Sequence, residues 1–132
     1  MLSLPVTLTI AAGAAFVNIW LMIRCGQART KESVSIGDGG NEFVIRRMRA
    51  HANFVESAPF ILILIAALEA TSGTNNWLWG LGLVYIIGRF AHGLGMDGGP
   101  LGKGRMVGTL TTMITLLGLA GWALWNVYAA VL

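Results

Sequence analysis

Hydrophobic residues along this chain fall into four long blocks, each closed by a short polar or glycine-rich stretch. Residues 2–23 ("LSLPVTLTIAAGAAFVNIWLMI") carry no charge. Residues 24–45 are polar, and "SIGDGGNE" within them reads as a turn leading to a helix N-cap ahead of Glu42. The second block runs from Phe43 to Ala70 and ends at "TSGTNN". The third runs from Trp77 to Met96 and ends at "DGGPLGKG"; the fourth covers Met106 to Val131. A helix crosses the hydrocarbon layer in about 20 apolar residues, so each block predicts a transmembrane helix. No stretch shows the period-two alternation of a strand. Short connections between the blocks predict an all-α integral membrane protein, an antiparallel four-helix bundle forming a single domain over 1–132. The first block has no basic segment ahead of it and reads as a retained helix rather than a cleaved leader.

Composition agrees with this pattern. Hydrophobic residues make up 55% of the chain, only 11% are charged, and the mean hydropathy is +0.70. A soluble core of this size could not absorb so much apolar surface, so the lipid bilayer is the expected partner. The chain has no basic run interleaved with aromatics, which excludes nucleic acid. One cysteine, Cys25, cannot form an intrachain disulfide and reads as a small packing residue.

Charge placement sets the orientation. Arg24, Arg29, Lys31, Arg46 and Arg47 lie in or beside the first connection, Lys103 and Arg105 in the third, and the second connection and both termini have no Lys or Arg. The positive-inside rule then puts connections one and three in the cytoplasm and both termini outside. Trp77, Trp79 and Trp125 are expected at the outer interface. The small residues of "AAGAA", with Gly104, Gly108, Gly118 and Gly121, suit close helix contacts, although glycine is common in membrane helices generally.

The second block is unusual because "RRMRAHANFVESAP" pushes charge into it. Residues 58–68 alone make only about 16 Å of helix, too short to cross about 30 Å of hydrocarbon. Counted from Ala70, Glu56 lies roughly 21 Å in, Asn53 about 26 Å and Arg49 about 31 Å. Glu42, Arg46, Arg49, Asn53 and Glu56 are separated by three or four residues and share one helical face. Arg46 and Arg47 read equally well as anchors that snorkel to the interface. Asn53 and Glu56 are too short for that and require a partner or a polar cavity. On the third block Tyr85, Arg89, His92 and Met96 share a face, and Arg89 and His92 lie level with Glu56. Two readings stand: a structural Glu56–Arg89 ion pair, or a polar pocket open to the cytoplasm that also uses Arg49, Asn53, His92 and Arg105. A metal site from His51, His92 and Glu56 lacks ligand spacing, since His51 is two residues off the stripe. No nucleophile triad or phosphate-cradling motif is present.

The patterns "RxHxNxxESxP" on the second block and "GRxxH" on the third resemble the MAPEG family, the membrane-associated proteins in eicosanoid and glutathione metabolism. The resemblance covers nearly the whole chain, and the "GDGG" connection is most similar to a bacterial branch. It implies a homotrimer in the bacterial inner membrane, with glutathione as thiol co-substrate bound between subunits near the cytoplasmic face. It implies that Arg49, Asn53 and Glu56 bind the tripeptide; Arg89, His92 and His51, singled out from the residues alone, are further candidate contacts. It implies that Arg105 activates the thiol toward a lipophilic electrophile, as in a transferase or peroxidase. Two departures stand out. Ser57 follows the motif Glu where well-studied members commonly have Tyr, and His92 and Met96 stand where at least one member has Tyr. Alternatives from other classes are a non-catalytic protein binding a thiol or an anionic lipid, and a small transporter or proton relay, which the lack of an inverted repeat disfavours.

Overall fold

A computed structural model describes residues 3–132. It contains four long helices and one short 3-10 turn: α1 (Pro5–Glu32), α2 (Glu42–Ser72), α3 (Asn76–Gly95), the turn Gly99–Leu101, and α4 (Lys103–Val131). The helix starts are set by local chemistry. Pro5 opens α1, where a missing N–H costs nothing. Asn41 caps α2 by accepting from Val44 N at 3.1 Å. Asn75 caps α3 by accepting from Trp77 N and Leu78 N.

Three of the four helical segments are long and apolar enough to cross a membrane: α1, α2 and the stretch Gly99–Val131 that contains α4. The protein is thus an all-α membrane protein. α3 falls outside this set, and it is the helix that carries Arg89 and His92. α1 runs nine residues beyond Ile23, because "RCGQARTKE" holds good helix formers and nothing stops it before Ser33, which turns left-handed at φ 57°. The polar stretch expected as a connection is therefore partly helix.

Every helix contributes to the core. Val6, Ile10, Ala14, Val17 and Leu21 form one stripe of α1, packed against Phe54, Ile61 and Ile65 of α2, Tyr85 of α3 and Leu119 of α4. The closest pairing is α3 with α4, and glycine makes it possible. A Cβ on Gly108 would overlap His92 Cβ and the Gly88 carbonyl, and one on Gly95 would overlap the backbone of Gly104 and Arg105. Gly104 and Gly108 thus take the close-contact role expected of them. Gly121 does not, having nothing within 4 Å, and Gly118 meets only Leu81 at 3.9 Å. The seam is shared with α3, whose glycines the hydropathy pattern did not single out. Of the three tryptophans expected at the outer interface, Trp77 and Trp125 are exposed, whereas Trp79 packs against the core.

One buried carboxylate joins the helix ends far from the arginines. Glu69, 2% exposed, accepts from Val6 N at 2.9 Å, Thr7 N at 2.8 Å, Thr7 Oγ1 at 2.7 Å and Thr74 Oγ1 at 2.8 Å. It supplies from α2 the cap that α1 lacks, since Leu4 has no side chain able to accept a hydrogen bond.

Candidate functional site

The polar stripe of α2 faces out of the chain. Arg49 and Glu56 lie two turns apart with side chains 57% and 62% exposed, and Arg49 Nη1 stands 3.9 Å from Glu56 Oε1. Asn53, between them, is half-buried. Arg46 pairs with Glu42 at 2.7 Å on the same face. This row places a cation, an amide and a carboxylate at the surface of a membrane helix. His51, off the stripe as its spacing predicts, turns toward α1, where its Nε2 lies 2.7 Å from Asn18 Oδ1.

The groups of α3 face inward instead. Arg89 is 1% exposed and His92 3%. Arg89 Nη1 donates to Thr112 Oγ1 of α4 at 3.0 Å, and Nη2 meets His92 Nδ1 at 3.3 Å. A guanidinium has no acceptor, so His92 Nδ1 is the acceptor in that contact. The Glu56–Arg89 pair is not formed: Glu56 is exposed beside Arg49, whereas Arg89 is enclosed and bonded to Thr112 and His92. Arg89 Nε is buried and has no partner. Deeper along the same face, Tyr85 Oη and Ser57 Oγ are 2.8 Å apart.

Arg105 stands exposed in the first turn of α4. Its backbone N–H bonds to Gly102 O at 3.2 Å, and its main chain packs on Gly95. It therefore stands at the same end of the bundle as Arg24, Arg47 and Arg49. The two sets expected to share one pocket are separated within a single chain. Arg49, Asn53, Glu56 and Arg105 lie at the surface, whereas Arg89 and His92 are enclosed and His51 is occupied by Asn18.

A family model described as the MAPEG family matches residues 7–125. The chain belongs to the MAPEG family. That family includes glutathione-dependent transferases and peroxidases. No curated protein and no solved structure gives a significant match. In this MAPEG chain the motif residues of α2 are kept as an outward row, which a packed interior would not require.

Several polar contacts of this MAPEG protein lie apart from the outward row. Asp97, just past α3, holds Arg24 at 2.6 Å and Arg47 at 2.7 Å. Within "DGGP" it reads as a turn residue. The available signal is scarcity: Asp97 is the only acid after Glu69 in the sequence. Asn18 and the Ser57–Tyr85 pair leave no comparable signal, because each depends on which face of one helix meets another.

Proposed function

We propose that this MAPEG chain is a membrane-bound glutathione transferase or glutathione-dependent peroxidase acting on lipophilic electrophiles. In this reading four helices span the bilayer, α3 included, and three copies assemble with polar pockets between them. The observation that carries it is the outward row Arg49–Asn53–Glu56. Charged groups at that depth are costly against lipid, so the row needs a covering surface and a polar ligand. A second copy supplies the surface. Glutathione supplies the ligand, with two carboxylates for an arginine fork and an ammonium for Glu56. Asn53 both donates and accepts. Arg105 provides the cation that favours thiolate over thiol. The thiolate then attacks an electrophilic carbon: a C–S bond forms, and the leaving group departs with the electron pair of the bond it breaks. Arg89 and His92 are enclosed, bonded to each other and, through Arg89, to Thr112 of α4.

Turnover of glutathione with a generic aryl halide by the purified protein in detergent tests this reading. Conjugate formation is expected. A stable monomer that binds glutathione without turnover would overturn it. That outcome would favour a second reading, a non-catalytic thiol or anionic-lipid binder. One observation leans that way: the Ser57 hydroxyl beside Glu56 is turned inward to Tyr85, so it offers the pocket no hydroxyl.

Orientation rests on the loops. The Lys/Arg asymmetry puts the α1–α2 and α3–α4 connections in the cytoplasm, in a bacterial inner membrane as the family resemblance implies. A cysteine placed at Gly73, in a variant lacking Cys25, should react with an impermeant maleimide only from outside. Labelling from the cytoplasmic side would reverse the assignment.

A further inference from the structure

The link between α3 and α4 is tied to the other helices through Asp97. Its Oδ1 accepts from Arg47 Nε at 2.7 Å. Its Oδ2 accepts from Arg47 Nη2 at 2.9 Å and from Arg24 Nη2 at 2.6 Å. The fork from Arg47 is bidentate, the stronger geometry for such a pair. The Arg24 and Arg47 side chains are only 14% and 11% exposed, which limits screening by water. Arg47 also donates to Arg24 O at 3.1 Å. The two guanidinium groups rest on Trp20 and Phe43, at 4.8 and 4.7 Å from the ring centroids. One carboxylate therefore joins α1, α2 and the end of α3.

From Asp97 to Arg105 the chain is stitched to itself and to the helices on either side. Gly98 N donates to Gly95 O at 3.1 Å, Gly102 N to Gly99 O at 3.0 Å, and Arg105 N to Gly102 O at 3.2 Å. Gly95 packs directly on the backbone of Gly104 and Arg105. Gly98 and Gly99 sit at φ 80° and 66°, conformations that glycine adopts freely. Gly98 also lies close to the Arg46 guanidinium. The segment is a compact piece. Among the described residues, Asp97 is its one side chain hydrogen-bonded to α1 or α2.

We propose that Asp97 is a positioning residue: by clamping Arg24 and Arg47 it fixes where Arg105 stands, and so how well Arg105 stabilises a bound thiolate. This rests on the glutathione reading above. The carboxylate does not itself face the thiol in this scheme, because its charge is spent on two arginines. That separates the proposal from a plain charge effect. If Asp97 acted only as a negative charge, removing it would free two cations and make the thiolate easier to form. If it positions Arg105, removing it makes the thiolate harder to form.

The experiment compares wild type, Asp97→Asn and Asp97→Glu in detergent. It uses amide hydrogen exchange without ligand and ultraviolet difference titration of bound glutathione. For Asp97→Asn, exchange over Gly98–Arg105 should quicken. The thiolate titration should move toward that of free glutathione, kcat at neutral pH should fall about fivefold to tenfold, and KM for glutathione should hold within about twofold. Asp97→Glu keeps the charge and should fall between. If Asp97→Asn fails to fold, the Glu variant decides by the same criteria. A variant titration equal to wild type, or shifted toward easier ionisation, overturns the positioning role. Wild-type protein that binds glutathione but titrates it as the free thiol overturns the functional reading itself, and the chemical role of Asp97 with it. The exchange data then report the tether separately.

Discussion

Gly108→Ala will lose about 2 kcal/mol of stability, whereas Gly80→Ala will be neutral or slightly stabilising. Both glycines lie in helices and both substitutions add one methyl group. Alanine in place of glycine normally gains roughly 1 kcal/mol in a helix interior. Gly80 has nothing within 4 Å, so it can keep that gain. At Gly108 the new Cβ would meet His92 Cβ and the Gly88 carbonyl, neither of which is the free end of a flexible side chain. Overpacking of this kind costs about 3 kcal/mol. The helices must then part where Arg89 reaches across to Thr112, one turn from Gly108. Thermal denaturation of the three proteins in one detergent checks the order. Equal midpoints for Gly108→Ala and wild type would mean that the α3–α4 seam is looser than its geometry implies.

Arg105→Ala and Arg49→Ala should fail in different ways. A free thiol with a pKa of about 8.5 is roughly 3% ionised at pH 7. A cation within about 4–6 Å lowers such a value by roughly 1–3 units. On the proposed function, Arg105 would then hold a large share of bound glutathione as thiolate at pH 7. Without it kcat should fall roughly tenfold to thirtyfold. The sign of the pH dependence follows: the lowered pKa helps only while the free thiol would be protonated. The deficit should therefore shrink as pH rises through about 8.5 and vanish above it. Arg49→Ala removes a charged hydrogen-bond donor worth about 1.5–3 kcal/mol. KM for glutathione should rise roughly tenfold to a hundredfold, with kcat little changed. Difference spectra of bound thiolate across pH read the first effect directly. If wild type and Arg105→Ala titrate alike, Arg105 is not the activating group, and Arg24 or Arg29 is the next to test.

How much of this was legible in the sequence depends on the range of the interaction. α1, α2 and α4 were legible because a helix long and apolar enough to cross a membrane declares itself alone, and α3 because polar breaks bound its apolar block on both sides. α2 begins at Glu42, one residue from the expected Phe43, and α3 at Asn76, one from Trp77. α4 starts three residues earlier than Met106, at Lys103, because its first turn is polar and lies ahead of the apolar block. The outward row of α2 was legible as a stripe because helix periodicity fixes which residues share a face. Which way the stripe points was not legible, and the Glu56–Arg89 pairing failed for that reason: equal depth does not imply that two side chains face each other. Asp97 was hidden by its setting among glycines, since a turn residue and an ionic clamp look the same until α1 and α2 are brought alongside. Glu69 was hidden in an apolar run for a similar reason. Its partners are backbone amides, and every sequence has those.

The Glu69 contact bears on the order in which the protein is made. The amides of Val6 and Thr7 are made before their acceptor, which comes 63 and 62 residues later. Until α2 has been threaded across, those amides have no partner in the chain and must stay in contact with water or headgroups. The register of α1 on α2 is thus tied by a carboxylate at the end far from the arginines. Lipid thickness tolerates sliding of a turn or more by tilt and local thinning; three hydrogen bonds from α1 to one carboxylate do not. The bilayer decides that the two helices cross, and Glu69 decides at what height they stop.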